Sequence, residues 1–208
     1  MEKKTRLAWE EFLNPDVLRQ NLILASIYIA YFEILKDSII DRPKEFFATE
    51  WNQGEPNVSE KYRDEILNRN KSPIYSSLSW YKENGVIDST DLDRFTVIKS
   101  CRNELAHELK YLITKGIELR FLEAFKDLIA LLNKIEVWWI ANVEIPTDED
   151  FADKEINESE IITGPILMLQ VILDVALGDE DRSRFYFQEF TKLINEEKIN
   201  KSSNFSPL

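Results

Sequence analysis

Apolar residues recur at three- and four-residue spacing along most of the chain, which is the spacing of one face of an α-helix. Turn and capping residues divide this pattern, and we predict helices over about 15–41, 60–70, 73–84, 90–115, 117–143, 161–177 and 179–198. Asn14-Pro15-Asp16 begins the first helix, Arg42-Pro43 ends it, and Gly164-Pro165 bends the sixth. Long helices with short connections predict an all-α fold, an antiparallel helical bundle with additional C-terminal helices.

The segment 147–160 is strongly acidic and lies between two groups of predicted helices. It could separate two units or form a loop inside one domain, and we favour the loop. We therefore predict a single helical domain over residues 1–198, with a core bundle over about 5–143 and a C-terminal helical extension over about 160–198. Residues 199–208 are expected to form a disordered tail.

Composition narrows the class of protein. The chain has 208 residues with only 5 Gly and 7 Pro, which disfavours turn-rich β architectures. One Cys excludes an internal disulfide, and the N-terminus does not read as a signal peptide, so we expect a cytoplasmic protein. The apolar stretch 22–35 is interrupted by Glu33 and is too short to cross a bilayer, so no membrane partner is expected.

The net charge of −12 bears directly on possible partners. A protein that binds a polyphosphate surface normally carries a basic face. An acidic chain therefore binds nucleic acid only through a local positive patch, or it acts through protein contacts instead. Composition alone slightly favours protein contacts.

A candidate patch lies on the predicted helix 90–115 around the only histidine, His107. At 100° per residue, one stripe of this helix is apolar and must face the core: Ile98, Cys101, Leu105, Leu109 and Leu112. The opposite side carries Lys99, Asn103, Ala106 and Lys110. Arg102 and His107 flank that side and diverge by roughly 140°, so they make a poor catalytic pair within one chain.

The segment Arg102-Asn103-Glu104-Leu105-Ala106-His107 resembles the motif of the HEPN superfamily, in which an Arg and a following polar residue precede a His. The resemblance covers mainly residues 81–112 and the helical plan. It implies a metal-independent endoribonuclease that acts as a homodimer on RNA, in a toxin–antitoxin or phage-defence setting. It also implies Arg102, Asn103 and His107 as catalytic residues and no cofactor.

These residue types suit RNA cleavage without a metal. The reaction needs a base for the 2′-hydroxyl, an acid for the leaving oxygen and cations for the phosphorane. One His107 cannot easily perform both proton transfers, whereas two copies across a two-fold axis can. Arg102 would hold phosphate, Asn103 would orient groups, and Lys99 and Lys110 would contact the RNA backbone. In the simpler alternative, Arg102 pairs with a neighbouring acid and His107 is a surface residue.

A second, shorter resemblance points to a non-catalytic protein. Gly85-Val86-Ile87-Asp88, followed by a helix that ends in Arg102-x-x-Leu105-x-His107, is similar to the mannitol operon repressor family. That similarity implies a regulatory or adaptor protein that acts through protein contacts. A protein partner is possible under both resemblances, either an antitoxin of the HEPN enzyme or a regulatory protein. The net charge of −12 fits a protein that acts through protein contacts better than it fits one that cleaves RNA.

Other combinations of residues favour structural roles. One His and one Cys cannot form a zinc site within a chain, so no metal is predicted. The acidic runs 148–150 and 179–181 could hold a hard cation, but such runs are more typical of solvated loops and helix N-termini. Cys101 lies on the apolar stripe and is expected to be a buried residue. Trp138-Trp139 and Phe185-Tyr186-Phe187 are expected to pack in a core or an interface, although aromatic residues can also stack on bases.

Overall fold

The computed structural model describes residues 9–10, 13–107, 119–151 and 156–203. It confirms the all-α fold class, because these residues form a helical bundle and contain almost no strand. The chain divides into two compact units, residues 1–163 and residues 164–208. This boundary lies close to the predicted start of the C-terminal extension, and the prediction that the two form one domain is not tested by it.

The first long helix, α1, spans Pro15–Phe46. Its N-terminus is as predicted: Pro15 occupies the first turn, and the Asn14 side chain accepts a hydrogen bond from the backbone N–H of Asp16 at 3.1 Å. The prediction that Pro43 ends this helix is wrong. A proline here removes one hydrogen bond near the end of the helix. Pro43 is buried and its carbonyl accepts from the Phe47 N–H at 3.1 Å, so the last turn continues.

The segment after α1, which lies between two predicted helices, contains a two-stranded antiparallel hairpin, β1 (Trp51–Asn52) and β2 (Glu55–Pro56). Helix α2 (Glu60–Glu65) and a 3₁₀ turn (Leu67–Arg69) follow it. Helix α3 then runs over Pro73–Glu83. Gly85 has a φ of +72°, the left-handed conformation that closes a helix, so α3 ends close to the predicted residue 84.

Helix α4 is described over Ser89–His107 and helix α5 over Leu119–Trp139. Helix α5 continues into a π-helical turn, Ile140–Glu144, and a helical turn, Ile145–Thr147. The helical path therefore passes the predicted end near residue 143. Pro146 lacks an N–H and its ring would clash with the carbonyl four residues earlier, which accounts for the widened turn before it.

The acidic segment contains short 3₁₀ turns, Glu149–Phe151 and Glu158–Glu160. In the second unit, helix α6 spans Gly164–Leu177 and helix α7 spans Glu180–Ser203. Helix α6 begins at Gly164, so the expected bend at Gly164-Pro165 is wrong: the chain before it is not helical. Helix α7 runs past the predicted end at residue 198, and the rest of the predicted disordered tail, 204–208, lies outside the described residues.

The core of the first unit forms where α1, α4 and α5 pack on one another and α3 packs on α1. Polar groups in this core are bonded to specific partners. The Tyr28 hydroxyl donates to the Ile98 carbonyl at 3.0 Å, and the Tyr81 hydroxyl donates to the Ser38 carbonyl at 3.1 Å. Trp139 Nε1 donates to the Tyr81 hydroxyl at 2.7 Å. These bonds fix how α3, α4 and α5 sit against α1.

An ion pair between α1 and α5 has a buried carboxylate. The Glu136 carboxylate on α5 is 3% exposed and receives Nη2 of Arg42 at 2.7 Å and its Nε at 3.4 Å. Arg42 Nη1 also bonds Glu144 in the π-helical turn at 2.8 Å. Burial disfavours the Arg42 cation, but the two carboxylates outweigh burial and raise its pKa.

Candidate functional site

Helix α4 carries the candidate residues and is fixed at both its start and its inner face. At the start, the Asp88 carboxylate accepts from the Asp91 N–H and the Asp91 carboxylate accepts from the Asp88 N–H, each at 3.0 Å. On the inner face, Ile98, Cys101 and Leu105 are buried, which confirms that part of the predicted apolar stripe. Leu109 and Leu112, also predicted for that stripe, lie outside the described residues.

Three of the predicted site residues line one cleft beside α4. The cleft has a volume of about 360 Å³ and is formed by α1, the start of α3 and the flank of α4. Its lining residues are Phe32, Glu33, Lys36 and Ile40 from α1; Ser72, Pro73 and Ile74 from the start of α3; and Lys99, Arg102 and Asn103 from α4.

Arg102 is held at the wall of this cleft by α1. Its Nη2 bonds the Glu33 carboxylate at 2.6 Å, and its guanidinium carbon lies 5.5 Å from the centre of the Phe32 ring. Its Nη1 lies 3.5 Å from Oδ1 of Asn103. Arg102 Nε is buried, and no described residue accepts a hydrogen bond from it. The pairing with Glu33 is the one that the simpler alternative for Arg102 anticipated.

Glu33 lies between two cations, since Lys36 also donates a hydrogen bond to its carboxylate. The hydrogen bond from Lys36, with a further one from Arg102, lowers the pKa of Glu33 below its ordinary value. Among the described residues that line the cleft, Lys36, Lys99 and Arg102 are cationic and Glu33 alone is anionic. The cleft is therefore a locally positive site on a protein of net charge −12.

Lys99 is oriented by an aromatic residue of α3. Its ammonium group lies 4.8 Å from the centre of the Tyr75 ring and 3.5 Å from the Tyr75 hydroxyl. A cation–π contact of this kind limits the positions that a long lysine side chain samples without neutralising its charge. Tyr75 therefore holds the Lys99 ammonium group at the edge of the cleft.

The N-terminus of α3 adds to the same electrostatic field. Ser72 is its N-cap residue, and the Ser72 side chain makes no capping hydrogen bond. The N–H groups of a first helical turn carry partial positive charge and bind anions well. A phosphate in this cleft would meet Lys36, Lys99 and Arg102 together with a helix N-terminus.

His107 does not line the cleft. It is exposed, and it is the last described residue of α4, five positions after Arg102. Helical geometry turns the two side chains about 140° apart, so one protomer does not bring them to one reacting group. Lys110, the other predicted backbone contact, lies outside the described residues.

The sequence interpretation missed Glu33, Lys36 and Ser72 as parts of this site. Glu33 and Lys36 lie one helical turn apart in the apolar stretch 22–35 and just after it, and charged residues on a core helix were a usable signal. The contact between Glu33 and Arg102 joins residues 69 positions apart, which no local pattern reveals.

A second cleft, of about 580 Å³, lies between α5 and the 3₁₀ turn 158–160. Its cation, Lys134, is already paired with the buried Asp91 at 2.5 Å. The acidic Glu158 also lines it. With no excess positive charge among its described lining residues, this cleft is a weaker candidate for an anionic ligand.

The remaining candidates take structural roles. Cys101 is 2% exposed and burial raises the pKa of its thiol, which confirms the expected buried residue. Trp138 and Trp139 pack with Trp80 in an aromatic cluster, as expected. Asp148 accepts a backbone hydrogen bond at the start of a 3₁₀ turn, and Asp179 accepts one at the start of α7. Within the described residues, no group of His, Cys, Asp and Glu side chains could hold a metal ion.

Comparisons with known proteins give no family for this chain: no protein-family model, no curated protein and no solved structure matches it.

Proposed function

We propose that the protein is a metal-independent endoribonuclease of the HEPN type, and that the cleft of Lys36, Lys99 and Arg102 binds the phosphate backbone of its RNA substrate. The observation that carries the proposal is the convergence of three cations on one cleft of a strongly acidic chain. A local positive site of this kind is what such a chain needs to bind RNA.

In this proposal Arg102 is the centre of phosphate recognition. Phosphate oxygens would replace the Glu33 carboxylate at Nη2 and would also accept from Nη1, giving the two-pronged contact that guanidinium groups make with phosphate. Asn103, exposed at the rim, would orient the ribose or the scissile phosphate. The cations would stabilise the charge that develops on the phosphorane.

The proton transfers fall to His107, and they require a second copy of the chain. Each protomer has one histidine, and that residue faces away from its own cleft. A homodimer that brings the two His107 side chains together would supply a base and an acid near neutral pH. Such an enzyme fits a toxin–antitoxin or phage-defence system, in which a protein partner would control it.

The direct test is cleavage of labelled RNA by the full chain in the presence of a chelator. We expect cleavage by wild type and a loss of roughly 100-fold or more in Arg102→Ala and in His107→Ala. Arg94→Ala is the matched control, because Arg94 lies on the same helix and is paired with Asp127 outside the cleft. Cleavage that persists in both variants, or no cleavage of a varied RNA pool by folded wild type, would refute the assignment.

The alternative function is a non-catalytic regulatory or adaptor protein on the same helical scaffold. The observation that favours it is that Arg102 already has a carboxylate partner while His107 lies outside the cleft. This alternative predicts that folded wild type neither cleaves nor retains labelled RNA at physiological salt, and that Arg102→Ala changes neither result.

A further inference from the structure

The second unit is a helical hairpin formed by α6 and α7. Gly178 makes the turn, and a Cβ there would lie 2.2 Å from the Asp174 carbonyl oxygen, which excludes any other residue without a shift of backbone. The Asp179 carboxylate caps α7 by accepting from the Arg182 N–H at 3.0 Å. The Tyr186 hydroxyl bonds the Asp174 carboxylate at 3.0 Å, which joins the two helices. The hairpin therefore has a defined geometry.

This hairpin exposes large apolar side chains on both helices. Over residues 164–196, where burial is described, only Leu169 is buried. The exposed residues are Leu167, Met168, Val175 and Leu177 on α6 and Phe185, Phe187, Phe190 and Leu193 on α7. Phe187 is 74% exposed and Phe190 is 62% exposed. Phe187, Phe190 and Ile194 are spaced i, i+3 and i+7, the spacing of a helix–helix seam.

Helix α6 is apolar on every side, with Asp174 as its single charged residue. A helix of this kind is stable only when it is surrounded by other helices or by lipid. Within its own unit α6 has one neighbour, α7, which covers one side of it. The hairpin thus needs a further partner.

The size of the exposed surface matches a protein–protein interface. Eight large side chains at these exposures present roughly 700 Å² of apolar surface. A stable interface of ordinary size takes about 800 Å² from each partner. A second hairpin would therefore cover this surface and would be covered by it in return.

Charge favours a second copy over a membrane. Residues 164–208 carry five Lys and Arg against seven Asp and Glu, a net charge of −2, so two hairpins repel each other little. Along α7 the signs are mixed, without the basic polar face of helices that lie on anionic lipid. The window Glu158–Leu177, with a mean hydropathy of 1.8, is long and apolar enough to cross a membrane by length and composition. The α-helix in it has 14 residues and spans about 21 Å, short of a 30 Å bilayer core.

We infer that the hairpin is a dimerisation surface: α6 and α7 of two copies pack about a two-fold axis into a four-helix bundle. In a bundle of four helices α6 gains contacts on a second side, and a two-fold axis pairs the Phe187–Phe190 seam with itself. The pairing concerns residues 164–203 alone and holds whether or not the chain cleaves RNA.

The test is the molar mass of the full chain in solution, measured by sedimentation at several concentrations. We expect wild type to be a dimer at about 10 µM and the double variant Phe187→Ser/Phe190→Ser to be a monomer, with the dissociation constant raised about 100-fold or more. Trp51→Ser is the matched control, since Trp51 is 58% exposed on β1 and outside the hairpin. A monomeric wild type, or a double variant that dimerises as wild type does, overturns the inference.

A cross-linking experiment covers the case in which the double variant does not fold. Thr191→Cys places a thiol beside the seam, whereas Thr90→Cys places one on α4, and both positions are exposed. The native Cys101 is buried and does not compete. We expect oxidation to link two copies through residue 191 and not through residue 90. Absence of the 191 link in an otherwise dimeric protein assigns the contact elsewhere and overturns the inference.

Binding to vesicles of phosphatidylcholine and phosphatidylglycerol tests whether lipid, and not a second copy of the chain, covers the hairpin. We expect wild type to remain in the supernatant when vesicles are pelleted. Wild type that pellets with the vesicles, while Phe187→Ser/Phe190→Ser does not, shows that lipid covers this face and overturns the inference in favour of a membrane surface.

Discussion

Helices α5 and α6 show two ways in which apolar sequence meets its surroundings. Helix α5 is amphipathic and buries one side against α1 and α4, with residues such as Leu128, Leu132 and Ile135 fully covered. Helix α6 is more uniformly apolar, yet Leu169 is its one buried residue. The fraction of a helix that is buried therefore depends on how many other helices of its unit pack against it. In a two-helix unit, one neighbouring helix is too few to bury the apolar side chains of α6.

Truncation of a core leucine should show this difference most strongly. Leu128→Ala, in a position with 0% exposure, should lower the free energy of unfolding by about 3–5 kcal/mol because it leaves a cavity. Leu167→Ala, in a position 57% exposed, should change it by less than about 0.5 kcal/mol at a concentration that keeps the chain monomeric.

Urea unfolding can follow the two helices separately. All five tryptophans lie before residue 140, so their fluorescence follows the first unit, while circular dichroism follows both units. Equal losses of unfolding free energy in Leu128→Ala and Leu167→Ala would mean that α5 and α6 are packed alike. The contrast between the two helices would then be wrong.

Breaking the ion pair between Arg42 and Glu136 should have the next largest effect on stability. Arg42→Ala leaves the Glu136 carboxylate, 3% exposed, without its partner, and should cost about 3 kcal/mol of unfolding free energy. Arg19→Ala is the control, because Arg19 and Asp16 are 71% and 82% exposed and their contact is worth little. An Arg42→Ala protein as stable as the control would show that the buried carboxylate does not depend on Arg42 as its partner.

A smaller effect is expected where Trp139 meets Tyr81. Trp139→Phe keeps most of the ring and removes the N–H that donates to the Tyr81 hydroxyl, so it should cost about 1–2 kcal/mol. Trp51→Phe on exposed β1 should cost almost nothing. Thermal unfolding followed by circular dichroism distinguishes the two variants. If Trp139→Phe is as stable as Trp51→Phe, the hydrogen bond between Trp139 and Tyr81 does not stabilise the core.

The smallest effect concerns the cleft. The folded state lowers the pKa of Glu33, so this carboxylate stabilises the protein above its ordinary pKa of 4.5, and that contribution is lost as pH falls through the lower folded value. With the side chain 35% exposed, we expect at most about 0.5 kcal/mol. The stability difference between wild type and Glu33→Gln should therefore shrink between pH 6 and pH 3.

Glu83→Gln, at an exposed pair with Arg69, provides the comparison for Glu33→Gln. A Glu33→Gln protein whose stability relative to wild type is the same at pH 6 and pH 3 would mean that Lys36 and Arg102 do not depend on this carboxylate for their positions.

The sequence predicted the elements well where the signal was local. Asn14 and Pro15 mark the start of α1 because capping depends only on neighbouring residues, and Gly85 marks the end of α3 for the same reason. It failed at Pro43, where tertiary burial outweighs one missing hydrogen bond. It also failed at Gly164-Pro165, where a proline begins a helix instead of bending one.

The site was partly predictable for a similar reason. Lys99, Arg102 and Asn103 lie within one turn of α4, so their common side could be placed from helical periodicity. Glu33 and Lys36 could not be placed beside them, because that contact depends on how α1 packs on α4. The catalytic assignment of Arg102, Asn103 and His107 stays a prediction, and the cleavage assay tests it.

The exposed face of the hairpin also bears on how long the protein survives. Local opening of a weakly packed helix pair gives proteases access at a free-energy cost well below that of global unfolding. A second copy that covers the same face raises that cost in proportion to the logarithm of concentration. The half-life of the chain would then rise with its own abundance, so that scarce copies are degraded first and a pool above the dimerisation threshold persists.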